Sequence, residues 1–112
     1  MLAKKYRFHS RGGVKYTYQK GKTIRTPKIS LVYNENSRGY QRFAVVVSKK
    51  VLKSAVRRNR IRRRIYEAIR LELSNFEKPR DYIFVVFNKN FEKMPFEEVR
   101  SEIRSLLEQS VI

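Results

Sequence analysis

Six of the eight residues from Arg57 to Arg64 are arginine, in the order Arg57-Arg58-Asn59-Arg60-Ile61-Arg62-Arg63-Arg64. A stretch this charged holds regular structure only if an apolar side of the same element is buried against the rest of the chain. That side is visible. At about 100° per residue, Ile61, Ile65, Ala68, Ile69, Leu73 and Phe76 fall on one helical face, and Arg60, Arg63, Arg64, Glu67 and Arg70 on the opposite one. Ser54 is a suitable N-cap, so the spacing predicts a helix from Ser54 to about Asn75. The guanidinium groups spread around much of its axis and cannot all meet protein carboxylates. Guanidinium forks grip phosphate oxygens in pairs and stack on bases, Asn59 can bond a base edge or ribose hydroxyl, and the helix N-terminus favours a further phosphate.

The wider charge distribution points the same way. Residues 1–64 carry 20 Lys and Arg and one acid, Glu35, a net +19; residues 65–112 carry −2; the whole chain is +17. Self-repulsion of that size opposes a compact fold unless a polyanion supplies counter-charge, and solubility needs neither the excess nor the asymmetry. Nucleic acid is the leading partner. Hydrophobic residues make up 41% of the chain, enough for one modest core, and 112 residues is a single-domain length, so 1–112 is read as one RNA-binding domain. No run approaches the roughly 18 apolar residues of a spanning helix, and the N-terminus lacks the apolar core of an export signal. The expected location is the cytoplasm.

Around the arginine helix the pattern is mixed. Val14 to Lys20 reads as a short helix stopped by Gly21. From Pro27 the period is two: Ile29, Leu31 and Tyr33 alternate with Lys28, Ser30 and Val32, as in a strand. A turn cluster, Asn34 to Gly39, leads to a second strand, Arg42 to Ser48, close enough to pair with the first as a hairpin. Asp81 to Phe87 is uncharged after Asp81 and reads as a central strand. Pro95 stands at the expected first position of a last helix, with Glu97 and Glu98 in its first turn and a stripe of Phe96, Val99, Ile103, Leu106 and Leu107. The expected fold class is α+β, an αββαβα sandwich with helices packed on a small sheet.

Protein-borne catalysis has no visible residues. With no Cys and one His, at position 9, thiol nucleophiles and multi-histidine metal sites are excluded. Metal-assisted phosphodiester cleavage uses converging carboxylates, yet the sole Asp is Asp81. Glu67 reads as an ion-pair partner inside the arginine helix, and Glu97, Glu98 and Glu102 as dipole and solubility residues. His9 reads as a packing or RNA-stacking residue. Gly12-Gly13 and Gly21 match no phosphate-cradling fingerprint. Tyr6, Phe8, Tyr16, Tyr18, Tyr33 and Tyr40, interleaved with Lys and Arg, are mainly core candidates, and Tyr18 is placed to line a cleft where single-stranded nucleotides stack.

Val47-Ser48-Lys49-Lys50, followed by Ala55-Val56-Arg57-Arg58-Asn59-Arg60-Ile61-Arg62-Arg63, closely resembles the signature of the bacterial ribonuclease P protein component. The resemblance covers most of the chain. It implies an accessory subunit of an endoribonuclease whose catalytic RNA holds Mg²⁺ and cleaves precursor tRNA at its 5′ end, with no catalytic or metal-binding residue in the protein. Contacts to that RNA fall on Lys49, Lys50, Arg57, Arg58, Asn59, Arg60, Arg62, Arg63 and Arg64. The 5′ leader of precursor tRNA falls on a cleft of Val14, Tyr18, Tyr33, Arg62 and Tyr66, with Tyr18 and Tyr33 on one concave surface beside Arg62. The family also implies a left-handed βαβ crossover through the arginine helix, against the usual hand. No membrane and no obligate protein partner are expected. A ribosomal-type RNA-binding protein without a processing role is the main alternative. A stand-alone nuclease lacks a carboxylate cluster, and a membrane-active protein would leave the helix's apolar face free for lipid.

Overall fold

Helix α1 (Ala55–Glu72) forms where the spacing predicts it, and a 3₁₀ turn, Leu73–Asn75, completes it. The Ser54 side chain accepts a hydrogen bond from the Arg57 N–H at 3.3 Å, satisfying one of the donors that a helix start leaves open. Its buried residues are Ile61, Ile65, Tyr66, Ala68, Ile69 and Glu72, so the apolar face is as expected but also takes in a tyrosine and an acid. Helix α2 (Phe96–Ser110) buries Val99, Ile103, Leu106 and Leu107, with Glu97 and Glu98 in its first turn; Pro95 is its cap, one position before the expected place. In this computed structural model the described residues are 2–8, 17, 19–76 and 78–111. Of the expected Val14–Lys20 helix, Thr17, Gln19 and Lys20 are helical and the rest lies outside them.

The sheet has four strands, β1 (Lys22–Arg25), β2 (Ile29–Glu35), β3 (Arg42–Val47) and β4 (Arg80–Val86), in the order β1-β2-β4-β3. β2 and β3 do not form the expected hairpin. β4 lies between them, antiparallel to β2 and parallel to β3. Apolar and buried on both faces, β4 suits the central place, and Asp81 fastens its start. Asp81 accepts from Arg42 Nε and a terminal nitrogen at 2.9 and 2.7 Å, and from Asn36 Nδ2 at 2.8 Å, so the 34–41 connection is fastened across the start of β4. Asn36 N–H also donates to the Pro79 carbonyl at 3.0 Å. Gly39, at φ 81°, lets that connection reverse, a conformation other residues rarely adopt. The lone aspartate is therefore a structural pin.

β1 has no counterpart in the sequence reading. Only Ile24 of its four residues turns inward; the others are exposed, as suits a short charged edge strand. Gly21 is fixed by close approach: a Cβ there would lie 2.5 Å from the Thr17 carbonyl oxygen and 2.7 Å from that of Tyr33.

Both sheet faces are covered. Ile29, Leu31, Tyr33, Phe43, Val45, Val47, Tyr82, Phe84 and Val86 pack toward α1 and α2 in the main core. Val32, Ala44 and Ile83 face the other way with Phe8. Each fully buried side chain of this kind contributes about 1.5–3 kcal/mol, which makes central β4, buried on both faces, the backbone of the molecule. β3, α1 and β4 make a βαβ unit that presents the arginine helix on the outside of the sheet. Among the described residues no helix is long and apolar enough to cross a membrane.

Candidate nucleic-acid interface

Burial of Ile61, Ile65 and Ile69 sets the rotation of α1, and that rotation sorts its arginines into two flanks. On one flank, Arg57, Arg60 and Arg64 reach the 3₁₀ turn Lys89–Glu92. Arg57 binds Glu92 Oε1 through Nε at 2.9 Å and a terminal nitrogen at 2.8 Å, and Arg60 donates to Oε2 at 3.3 Å. Arg64 donates to the Phe91 carbonyl at 2.5 Å and to that of Met94. The hydrogen bond from Arg57, with a smaller one from Arg60, holds the Glu92 carboxyl below its ordinary range.

The other flank is different in kind. Asn59, Arg62, Arg63 and Tyr66 line an open cavity of about 460 Å³ together with Arg7. Asn59 Oδ1 accepts from Arg62 at 2.5 Å, and its carbonyl accepts from Arg63 Nε at 3.4 Å. Among the described residues neither Arg62 nor Arg63 forms an ion pair, so their charge remains available to an anion. Arg7 comes from the N-terminal segment, which bridges to Phe43 beside β3. Its guanidinium carbon lies 5.9 Å from the Tyr66 ring centre, and its buried Nε makes no hydrogen bond among the described residues. Burial raises the Tyr66 hydroxyl above its ordinary 10.0, against the pull of Arg7 and Arg62, so the ring stays neutral near pH 7.

The remaining expected residues are dispersed. Lys49 and Lys50 are exposed on the turn between β3 and α1. Arg58 folds back on that connection, donating to the Leu52 and Lys53 carbonyls at 3.0 and 2.7 Å. Val14 and Tyr18 lie outside the described residues. Tyr33 is not beside Arg62. Odd-numbered residues of β2 face the helices, so its ring is 8% exposed and stacks on Tyr82 at 6.2 Å, with the Arg80 guanidinium 5.1 Å away. Tyr82 stacks in turn on Phe43 at 5.0 Å, an aromatic ladder across β2, β4 and β3. Tyr33 belongs to the core.

The element order, the Ser-Lys-Lys turn and the arginine helix together match a known pattern along nearly the full chain: the Ribonuclease P family model covers residues 2–111. The chain belongs to the ribonuclease P protein family. The ribonuclease P protein component of Syntrophus aciditrophicus is 34% identical over 106 residues, covering 95% of this chain and 87% of that protein. That of a Thermoanaerobacter species is 36% identical over 93 residues, covering 83% and 78%. The fold agrees with the solved ribonuclease P protein of Thermotoga maritima, with a TM-score of 0.82 at 24% identity over 92% of this chain and 96% of that one. The Staphylococcus aureus protein gives 0.80 at 22% identity, covering 94% of both.

Two residues of these flanks, Arg7 and Glu92, were not expected from the sequence. Arg7 was discoverable from the alternation Tyr6-Arg7-Phe8, which sends the arginine toward α1 and Phe8 toward the other face. Glu92, 35 residues from Arg57, left no local signal.

Proposed function

We propose that this chain acts as the protein subunit of ribonuclease P, binding the catalytic RNA through α1 and assisting removal of the 5′ leader from precursor tRNA. The observation that supports this reading is the flank of Asn59, Arg62 and Arg63, completed by Arg7, whose guanidinium groups have no carboxylate partner among the described residues. Guanidinium groups without carboxylate partners, around a cavity with one aromatic wall, suit phosphates and bases of a structured RNA. Lys49, Lys50 and the outer edges of Arg57, Arg58, Arg60 and Arg64 extend the contact. Arg62 and Tyr66, with Val14 and Tyr18 of the N-terminal segment, are assigned to the leader; Tyr33, buried in the core, is not.

Cleavage chemistry is assigned to the RNA. Among the described residues no three His, Asp or Glu side chains group as a metal site, and the guanidinium donors of this face do not fit Mg²⁺. The metal is assigned to the RNA subunit, and the protein supplies binding and orientation. The cytoplasm is the location this proposed role implies.

The leader assignment is tested by comparing leader-bearing precursor tRNA with mature tRNA on the assembled complex. Base stacking contributes roughly 1–3 kcal/mol by alanine substitution. Tyr18→Ala should weaken precursor binding by about tenfold or somewhat more and leave mature tRNA unaffected. Equal losses for both RNAs would remove Tyr18 from the leader path.

A further inference from the structure

We propose that Glu92 is a positioning residue for the RNA-binding helix: it fixes the guanidinium planes of Arg57 and Arg60 so that their outer edges meet a folded RNA in one geometry.

An acid beside an RNA-binding surface repels phosphate, yet the Glu92 side chain sits against the arginine helix with only 6% of its surface exposed. Its partners remain open, with the side chains of Arg57 and Arg60 42% and 59% exposed. Arg57 spends Nε and one terminal nitrogen on Oε1, the two-point grip that sets a guanidinium plane. Among the described residues its other N–H groups have no carboxylate partner besides Glu92, and the side chain stays open to solvent. Arg60 uses one terminal nitrogen on Oε2. Glu92 thus binds the inner edges and leaves outer edges for phosphate. Arg64 reinforces the arrangement by holding the carbonyls of Phe91 and Met94, which fixes the turn that carries Glu92. A half-exposed arginine otherwise loses side-chain entropy when it docks. Prior ordering removes much of that cost for an RNA whose phosphates have fixed positions. An unstructured strand adapts to the arginines anyway and gains nothing from it.

This inference rests on the proposed RNA-binding role of α1, and one experiment separates the two. Wild type and Glu92→Gln are titrated with three RNAs: a bacterial ribonuclease P RNA, an unrelated folded RNA of equal length, and polyuridylate. Wild type should prefer the first over the second. No preference would contradict the proposed function, while the comparison of folded with unstructured RNA would still judge Glu92. For Glu92→Gln, affinity for ribonuclease P RNA should fall by about three- to tenfold, while affinity for polyuridylate stays level or rises with the lost negative charge. In an Arg57→Ala, Arg60→Ala background the Glu92→Gln change should have no further effect. Three results would overturn the proposal: affinity for both RNAs rising together, both falling together with a lower melting temperature, or an undiminished loss in the double-alanine background.

Discussion

Arginine count is a poor guide to RNA contact when each guanidinium has its own local partner. Arg58 fastens the connection ahead of α1, and Arg57 and Arg60 share Glu92, whereas among the described residues Arg62 and Arg63 bond to Asn59 and to no carboxylate. The last pair should therefore carry the most salt-sensitive part of binding. Each phosphate contact contributes roughly 0.7–0.9 to the slope of log affinity against log salt. Replacing both Arg62 and Arg63 with Ala should lower that slope by roughly 1 to 2 units without changing the melting temperature, since neither side chain packs in the core. An unchanged slope in the folded variant would place the phosphate contacts elsewhere. Tyr33 teaches a complementary lesson. Its alternation with Ile29 and Leu31 already placed it on the buried face, and the family resemblance pointed it toward the cleft; the strand period was the better guide.

At the scale of elements, α1 and α2 are joined by a buried acid. Glu72, 1% exposed, accepts on Oε1 from Arg104 Nε and a terminal nitrogen at 3.0 and 2.8 Å and from Arg100 Nε at 2.9 Å, with Asn75 on Oε2 at 3.3 Å. Arg104 is the main reason its pKa falls from 4.5 to about 2. A carboxyl with a lower pKa folded than unfolded binds fewer protons in the native state. Its stabilisation is therefore complete above the unfolded value and lost as pH falls toward the folded one. Stability should decline between about pH 4.5 and 2, and Glu72→Gln should flatten part of that decline; Glu67, also held near 2 by Arg70, supplies another part. An identical pH profile in wild type and variant would show that Glu72 does not link the helices. The elements themselves were legible wherever local chemistry decides them. Ser54 capped α1, the isoleucine spacing set its face, and the uncharged run after Asp81 marked the central strand. Sheet order was not legible, because it rests on long-range contacts such as Asp81 with Asn36 and Arg42, 45 and 39 residues away. β1 was lost for a different reason: one inward residue in four gives no period.

Over the whole molecule, folding uses the acids of the C-terminal part to neutralise selected bases of the N-terminal part. Glu92 takes Arg57 and Arg60, Asp81 takes Arg42, and Glu102 approaches Lys28. These pairs hold the sheet and helices together and leave the Asn59–Arg63 flank, with Arg7, without a carboxylate among the described residues. What remains is an open cavity lined by Arg7, Asn59, Arg62, Arg63 and Tyr66, on a body of 35 × 28 × 26 Å. The role proposed for that cavity is to bind the catalytic RNA. The most direct measurement is cleavage of precursor tRNA in Mg²⁺ by RNA-free protein, by a bacterial ribonuclease P RNA at limiting salt, and by the two combined. Protein alone should give no cleavage, and the combination should cut at the mature 5′ end faster than the RNA alone. Specific 5′ cleavage by nuclease-treated protein, or an RNA whose rate the protein leaves unchanged, would contradict the proposed role.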